Sequence, residues 1–134
     1  MEKTLFMIKP DAVARGLIGE IVALMEREGF TIERLELQRF ERAKAETFYD
    51  VHRDKPFFAS LVEYITSGPV VAMVLVGDAA IARVRELMGA TDPAQAASGT
   101  IRRKYGESIE RNAVHGSDSP TSAAHEIAVV FGAP

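Results

Sequence analysis

The run Val70-Val71-Ala72-Met73-Val74-Leu75-Val76 is apolar at every position, and four of its seven residues are valine. β-Branched side chains crowd a helix and pack well on a pleated surface, so the run reads as a strand. Successive side chains on a strand point to opposite faces, and a strand of this composition has to be covered on both. The run is far short of the ~20 apolar residues that cross a bilayer. Gly68-Pro69 closes the segment before it. Gly77-Asp78 opens the segment after it, where the pattern predicts a capped helix from Ala79 to Met88 ended by Gly89. The chain therefore has to build layers on either side of one central strand.

The remaining segments supply those layers. Lys3 to Lys9 alternates as a strand that Pro10 ends, and Lys9 closes it where a long ammonium can lean over a sheet edge into a cleft. Ile18, Ile21, Val22 and Met25 recur at helical spacing with Glu20, Glu26 and Arg27 opposite, and Gly29 stops that helix. Phe30 to Phe40 is strand-like, but Leu35 and Leu37 fall out of phase with Ile32, which predicts a bulge near Glu33-Arg34. Arg42 to His52 and Asp54 to Thr66 read as helices. Residues 90–111 form a long connection with a short helical piece begun by Asp92-Pro93, and a connection this long in a small domain is usually functional. A short strand leads to His115, and a last helix spans Thr121 to Phe131. The order βαβ, helices, βαβ, helix predicts one domain over residues 1–134, an α/β (α+β) sandwich of ferredoxin-like βαββαβ type.

Composition limits what such a domain does. A net charge of −3 speaks against a polyanion partner, yet Arg83, Arg85, Arg102, Arg103, Lys104 and Arg111 outnumber the four acids between positions 83 and 111. A basic segment in an acidic chain suits a small anionic ligand. No cysteine is present, which excludes disulfides and thiolate metal sites. The N-terminus enters strand-like sequence with no leader pattern, so a cytoplasmic enzyme is the expectation, with no membrane partner.

The chemistry concentrates in Asn112-Ala113-Val114-His115-Gly116-Ser117-Asp118-Ser119-Pro120. Ser119 and Pro120 suit the N-cap and first helical position of the last helix. Gly116 allows a sharp bend or positive φ directly after His115. Ala123, Ile127 and Val130 form the apolar stripe of the helix, and Glu126 falls on that stripe. A carboxylate on an inward face needs a partner, and His115 is the nearest candidate. An imidazole oriented by an acid through one ring nitrogen offers the other as a nucleophile. The same pair could merely tie a strand end to a helix; the full run favours chemistry.

Asn112-x-x-His115-Gly116-Ser117-Asp118-Ser119 resembles the active-site signature of the nucleoside diphosphate kinases. The resemblance extends through Thr4–Asp11, Arg53–Phe58 and Ser67–Val71 to the C-terminal helix. It implies a four-stranded antiparallel sheet and a ping-pong reaction in which His115 takes the γ-phosphoryl group of an NTP and hands it to an NDP. It also implies Nδ1 as the attacking nitrogen, a choice that spacing leaves open. Ser117 is then the partner of Glu126, and Tyr49 faces the transferring phosphate. Lys9 and Asn112 hold the sugar hydroxyls, and Arg85, Thr91 and Arg102 contact the phosphates, whose oxygens suit guanidinium forks. Phe57 stacks on the base with Leu61 behind it and Ile109 lining the same slot, which implies broad base specificity. Gly116 joins the nucleotide-binding set. Mg²⁺ is expected to be carried by the nucleotide phosphates, since no carboxylate cluster suggests a protein-built site. Family members of this size form homo-oligomers, tetramers or hexamers built from dimers.

Taken singly, Arg85 and Arg102 read equally well as surface charge, Thr91 as a cap and Phe57 as packing; His52 and His125 read as surface residues. One departure is Arg103-Lys104, where the family usually carries a small residue and an aspartate, on a loop that often meets neighbouring subunits. The sequence ends at Pro134, so the C-terminal extension that braces neighbours in longer members is not expected. An idle binding protein on the same fold is disfavoured because the expected site residues are all present. A single-strand nucleic-acid binder is disfavoured by overall acidity, and no specific nucleic acid is expected. A serine hydrolase needs an elbow that Gly116-Ser117-Asp118-Ser119 does not supply.

Overall fold

The computed structural model describes residues 1–132; residue 133 and Pro134, where the sequence ends, lie outside the described residues. Val70–Gly77 (β3) is a central strand, as its composition requires. It pairs antiparallel with Glu2–Ile8 (β1) on one side and Thr31–Gln38 (β2) on the other, and Val114–Gly116 (β4) pairs antiparallel with the far side of β1. The sheet order is β2-β3-β1-β4. The predicted bulge is present: Ile32 faces Leu75 and Arg34 faces Val74, so Glu33 is the extra residue.

Helices cover both faces. Phe6 and Ile8 of β1 and Met73 and Leu75 of β3 pack in one apolar layer with Ala12 of Pro10–Ala14 (α1), Ile21 and Met25 of Ile18–Arg27 (α2), Val84 and Met88 of Ala80–Met88 (α5), and Ile101 of Ile101–Tyr105 (α6). Leu5, Met7, Val70 and Ala72 point the other way. They meet Ala45 and Phe48 of Arg42–Phe48 (α3), Val62 and Ile65 of Phe58–Ile65 (α4), and Val130 of Pro120–Phe131 (α7). The period of two along β1 and β3 thus divides the core into two layers.

Three local details differ from the sequence expectation. Pro10 does not only end β1; it occupies the first position of the short helix α1, where its missing N–H is no loss. Gly77-Asp78 does not cap α5. Ala79 takes a left-handed φ of 49° there, and the free Ile81 N–H donates to Glu2 Oε1 at 2.8 Å. The segment predicted as helix from Arg42 to His52 breaks at Tyr49 into a 3-10 turn at Asp50–His52, and α4 starts at Phe58. The cap at Ser119 forms as read, with Ser119 Oγ accepting from Ser122 N at 3.0 Å, whereas the short helical piece is capped by Asp92 and not by Thr91: Asp92 Oδ1 accepts from Ala94 N at 3.0 Å. Among the described residues, no helix is long and apolar enough to cross a membrane.

Candidate active site

His115 is the middle residue of β4, opposite Met7 of β1. Its Nε2 lies 2.8 Å from Glu126 Oε1, and the Ser117 hydroxyl donates to the same carboxylate oxygen at 2.7 Å. Ser117 is fully buried and is itself fixed by the Leu5 N–H, which donates to its Oγ at 3.3 Å. The Phe48 ring packs edge-on against the imidazole with centroids 5.1 Å apart. With Nε2 donating to Glu126, the lone pair sits on Nδ1. The His115 side chain keeps 21% of its surface exposed, so the ring is held from behind and reachable from in front.

Lys9 follows β1 as the cap residue of α1 and is 6% exposed. Its Nζ donates to Asn112 Oδ1 at 2.9 Å and to the Glu110 carbonyl at 3.3 Å, while Asn112 Nδ2 donates to the Thr91 carbonyl at 2.9 Å. Burial, reinforced by the charge of Arg102, lowers the Lys9 ammonium to about 8. Tyr49 is buried with its ring edge-on to Phe48, and burial together with the Glu126 charge raises its hydroxyl well above the ordinary tyrosine value.

Arg102, read from the sequence as possible surface charge, is buried at the start of α6. It donates to the carbonyls of Gly89 at 3.1 Å and Val114 at 2.9 Å. Its Nε is buried without a partner. Burial first, and then the charge of Arg85, lowers its guanidinium to about 10. Arg85 is exposed on α5. Two mutually repelling cations, one with an unsatisfied donor, are a setting that an anion relieves. Asp118 is held below the usual carboxylate range, first by a hydrogen bond from Ser122 and then by Arg85. A cleft of ≈ 950 Å³ bordered by Arg85, Gly89, Thr100, Asp118 and Ser119 opens beside this group, but His115 is not on its lining. The chemistry of the groups, not the size of that cleft, marks the site.

Phe57 and Ile109 are 46% and 60% exposed, and Thr91 is exposed; Leu61 is half-buried against the layer that holds Phe48 and Tyr49. α4 and the long connection are joined where Ser60 Oγ lies 2.9 and 2.8 Å from the two Glu110 carboxylate oxygens. His52 is half-buried and not a surface residue: its ring lies 5.5 Å from Phe57 and 6.4 Å from Tyr49. His125 is exposed, with Nε2 3.1 Å from the Thr47 carbonyl. Gly116 takes no positive φ. It is glycine because a Cβ would stand 2.8 Å from Met88 Cε and 3.1 Å from Val84 Cγ1 of α5. Sequence reasoning missed Ser60, Glu110 and Asp11 as parts of this neighbourhood. The sequence carries no signal for the last, because only the fold buries Asp11 and brings it to Ala113.

An oriented imidazole beside buried and exposed guanidiniums, on a ferredoxin-like sandwich, is the architecture of a nucleotide phosphotransferase. A family model described as nucleoside diphosphate kinase matches residues 2–134. The nucleoside diphosphate kinase of Pelotomaculum thermopropionicum is 58% identical over 133 residues, 99% of this chain and 89% of that protein. The solved nucleoside diphosphate kinase of Aquifex aeolicus superposes with a TM-score of 0.95 at 49% identity, covering 97% of this chain and 94% of that one. That of Halobacterium salinarum, solved in complex with CDP, gives a TM-score of 0.95 at 47% identity over 98% of this chain and 88% of that one. The chain belongs to the nucleoside diphosphate kinase family, and it is an enzyme of phosphoryl transfer acting on nucleotides.

Proposed function

We propose that the reaction runs by a ping-pong route through His115 Nδ1. The observation that carries this is the 2.8 Å contact of Nε2 with Glu126 Oε1, which keeps the proton on Nε2 and leaves the lone pair on Nδ1. Nδ1 attacks the γ-phosphorus of an NTP and the β–γ bridging bond breaks, releasing NDP. Charge that builds on the imidazole is balanced by Glu126, with Ser117 holding the carboxylate. A second NDP then attacks the phosphohistidine and leaves as NTP.

Arg85, Arg102 and Thr91 contact the phosphates, and the buried Arg102 guanidinium steadies the charge on the phosphoryl group in flight. Lys9 and Asn112 grip the sugar hydroxyls, and Tyr49 faces the transferring group. Phe57 stacks on the base, backed by Leu61 and flanked by Ile109. Stacking alone is indifferent to base identity. The backbone at Gly116 lies against the same nucleotide.

Among the described residues no three His, Cys, Asp or Glu side chains gather to hold a cation. Phosphate oxygens are hard ligands of the kind Mg²⁺ takes, so the nucleotide carries it. Mg²⁺ so bound supplies charge neutralisation at the transferring phosphate. Leu35 and Leu37 stand 46% and 64% exposed on β2, an edge strand of the sheet. A second copy laid along this edge buries both and pairs the free backbone row, which supports a homo-oligomer built from dimers. A cytoplasmic place of action completes this reading.

Intact-mass spectrometry after brief incubation with ATP tests the route. An acid-labile phosphoryl adduct, lost in His115→Ala, is the expected result. Phosphate exchange retained by that variant rules the route out.

A further inference from the structure

Asp11 takes no part in the proposed relay, yet it is 7% exposed and both its oxygens are used. Oδ2 accepts the Ala113 N–H at 3.0 Å, and Oδ1 accepts the hydroxyl of Tyr64. The Asp11 N–H in turn donates to that hydroxyl oxygen at 2.7 Å. The Arg111 guanidinium lies over the Tyr64 ring, 5.0 Å from its centroid, and covers the pair from outside.

Ala113 has a φ of 74°, and the Val114 N–H donates to the Asn112 carbonyl across it at 2.9 Å. A bond spanning one central residue at this φ is the γ-turn of positive φ, rare and strained for an L residue. Glycine would take this conformation freely, but the position is alanine. Such strain persists only where the surroundings over-determine it. Here the Ala113 carbonyl accepts the Lys9 N–H at 2.9 Å, and its own N–H is held by Asp11. Flipping the turn to negative φ breaks the Asp11 bond and leaves a buried carboxylate oxygen and a buried N–H unpaired. On one side of the turn stands Asn112, partner of the Lys9 ammonium; on the other, β4 carries His115.

We infer that the Asp11–Tyr64 pair is a clamp that holds Ala113 left-handed and thereby sets Asn112 and His115 for phosphoryl transfer. Asp11 and Tyr64 are positioning residues: neither reaches the reacting atoms, and both act through the backbone of residue 113. A carboxylate suits the task because it accepts two donors at once and has no hydrogen to misplace. The inference rests on the reading of His115 as the phosphoryl carrier.

The experiment compares Asp11→Ala, Tyr64→Phe, Ala113→Gly and the two double variants with Ala113→Gly. Its readouts are the single-turnover rate of His115 phosphorylation by ATP, the KM for ATP and the melting temperature. Asp11→Ala is expected to slow phosphorylation about tenfold and Tyr64→Phe about threefold. KM for ATP should rise by a smaller factor than the rate falls, because Asn112 shifts with the turn while Phe57 and Arg85 sit on other elements. Glycine at 113 needs no clamp, so adding Asp11→Ala or Tyr64→Phe to Ala113→Gly should cost less than about twofold in rate. A loss as large on the glycine background as on the alanine one overturns the clamp, as does a lower melting temperature with unchanged rates. If Asp11→Ala does not fold, the Tyr64→Phe pair decides by the same criteria. Failure of the parent protein to form phosphohistidine would instead remove the His115 reading, and is seen separately.

Discussion

The imidazole of His115 and the carboxylate of Glu126 meet through Nε2 and Oε1 at 2.8 Å, across the junction of β4 and α7. That contact orders the rest of the site, because it decides which ring nitrogen is held and which is free. Ser117, buried and two residues after His115, holds the same carboxylate oxygen and is anchored in turn by the β1 backbone. Three elements, β1, β4 and α7, therefore fix the direction of one lone pair.

Glu126→Ala is expected to slow His115 phosphorylation by about tenfold to a hundredfold, the equivalent of one charge-assisted hydrogen bond of roughly 1.5–3 kcal/mol. Single-turnover kinetics with ATP read this directly. Ser117→Ala should cost less, because the carboxylate keeps its imidazole partner. An unchanged rate in Glu126→Ala would mean that the pair is only a tie between strand and helix.

Phe57→Ala should raise KM for every nucleotide by a similar factor, matching a stacking contribution of about 1–3 kcal/mol. Steady-state kinetics with ATP, GTP, CTP and UTP as donors check the claim. A loss confined to one base would place a hydrogen-bonding readout where stacking is proposed.

Lys9 supplies a pH test. Its ammonium has a value of about 8 in the fold against the ordinary 10.5. The unfolded chain therefore binds more protons than the folded one between these values, and stability rises with pH across that window. Below it, the buried charge costs on the order of 3 kcal/mol. Lys9→Met removes this dependence, so the stability of the variant relative to the parent should be greatest near pH 7 and fall toward pH 10. Thermal denaturation across that range measures it, and a flat difference contradicts the assigned burial of the charge.

Gly116→Ala should destabilise the fold by about 1–3 kcal/mol through overpacking. The added Cβ would meet Met88 Cε at 2.8 Å and Sδ at 3.0 Å. Met88 is flexible, so Met88→Ala should reduce the penalty of the glycine change in a double-mutant cycle of chemical denaturation. An additive cycle would show that the glycine is there for another reason.

How far the sequence carries is visible in these same residues. The β3 run reported its own burial on both faces, and the slip between Ile32 and Leu35 placed the bulge near Glu33-Arg34, because strand periodicity is a local signal. The pairing of His115 with Glu126 was legible too, since the acid falls on the apolar stripe of the helix that follows. Long-range capping was not: Glu2 serves Ile81, and Asp11 serves Ala113, across separations no window spans. The burial of Arg102 was hidden for a related reason. Its partners are backbone carbonyls at Gly89 and Val114, which carry no sequence identity. Gly116 was read for its conformational freedom, whereas the packing of α5 against β4 is what requires it.

The decisive measurement is the site of phosphorylation on the ring. Enzyme with ¹⁵N-labelled histidine, phosphorylated by ATP and observed by ³¹P and ¹⁵N NMR, should carry the phosphoryl group on His115 Nδ1, and adding an NDP should discharge it. A phosphoryl group on Nε2, the nitrogen that contacts Glu126, or a turning-over enzyme with no phosphohistidine, would contradict the account.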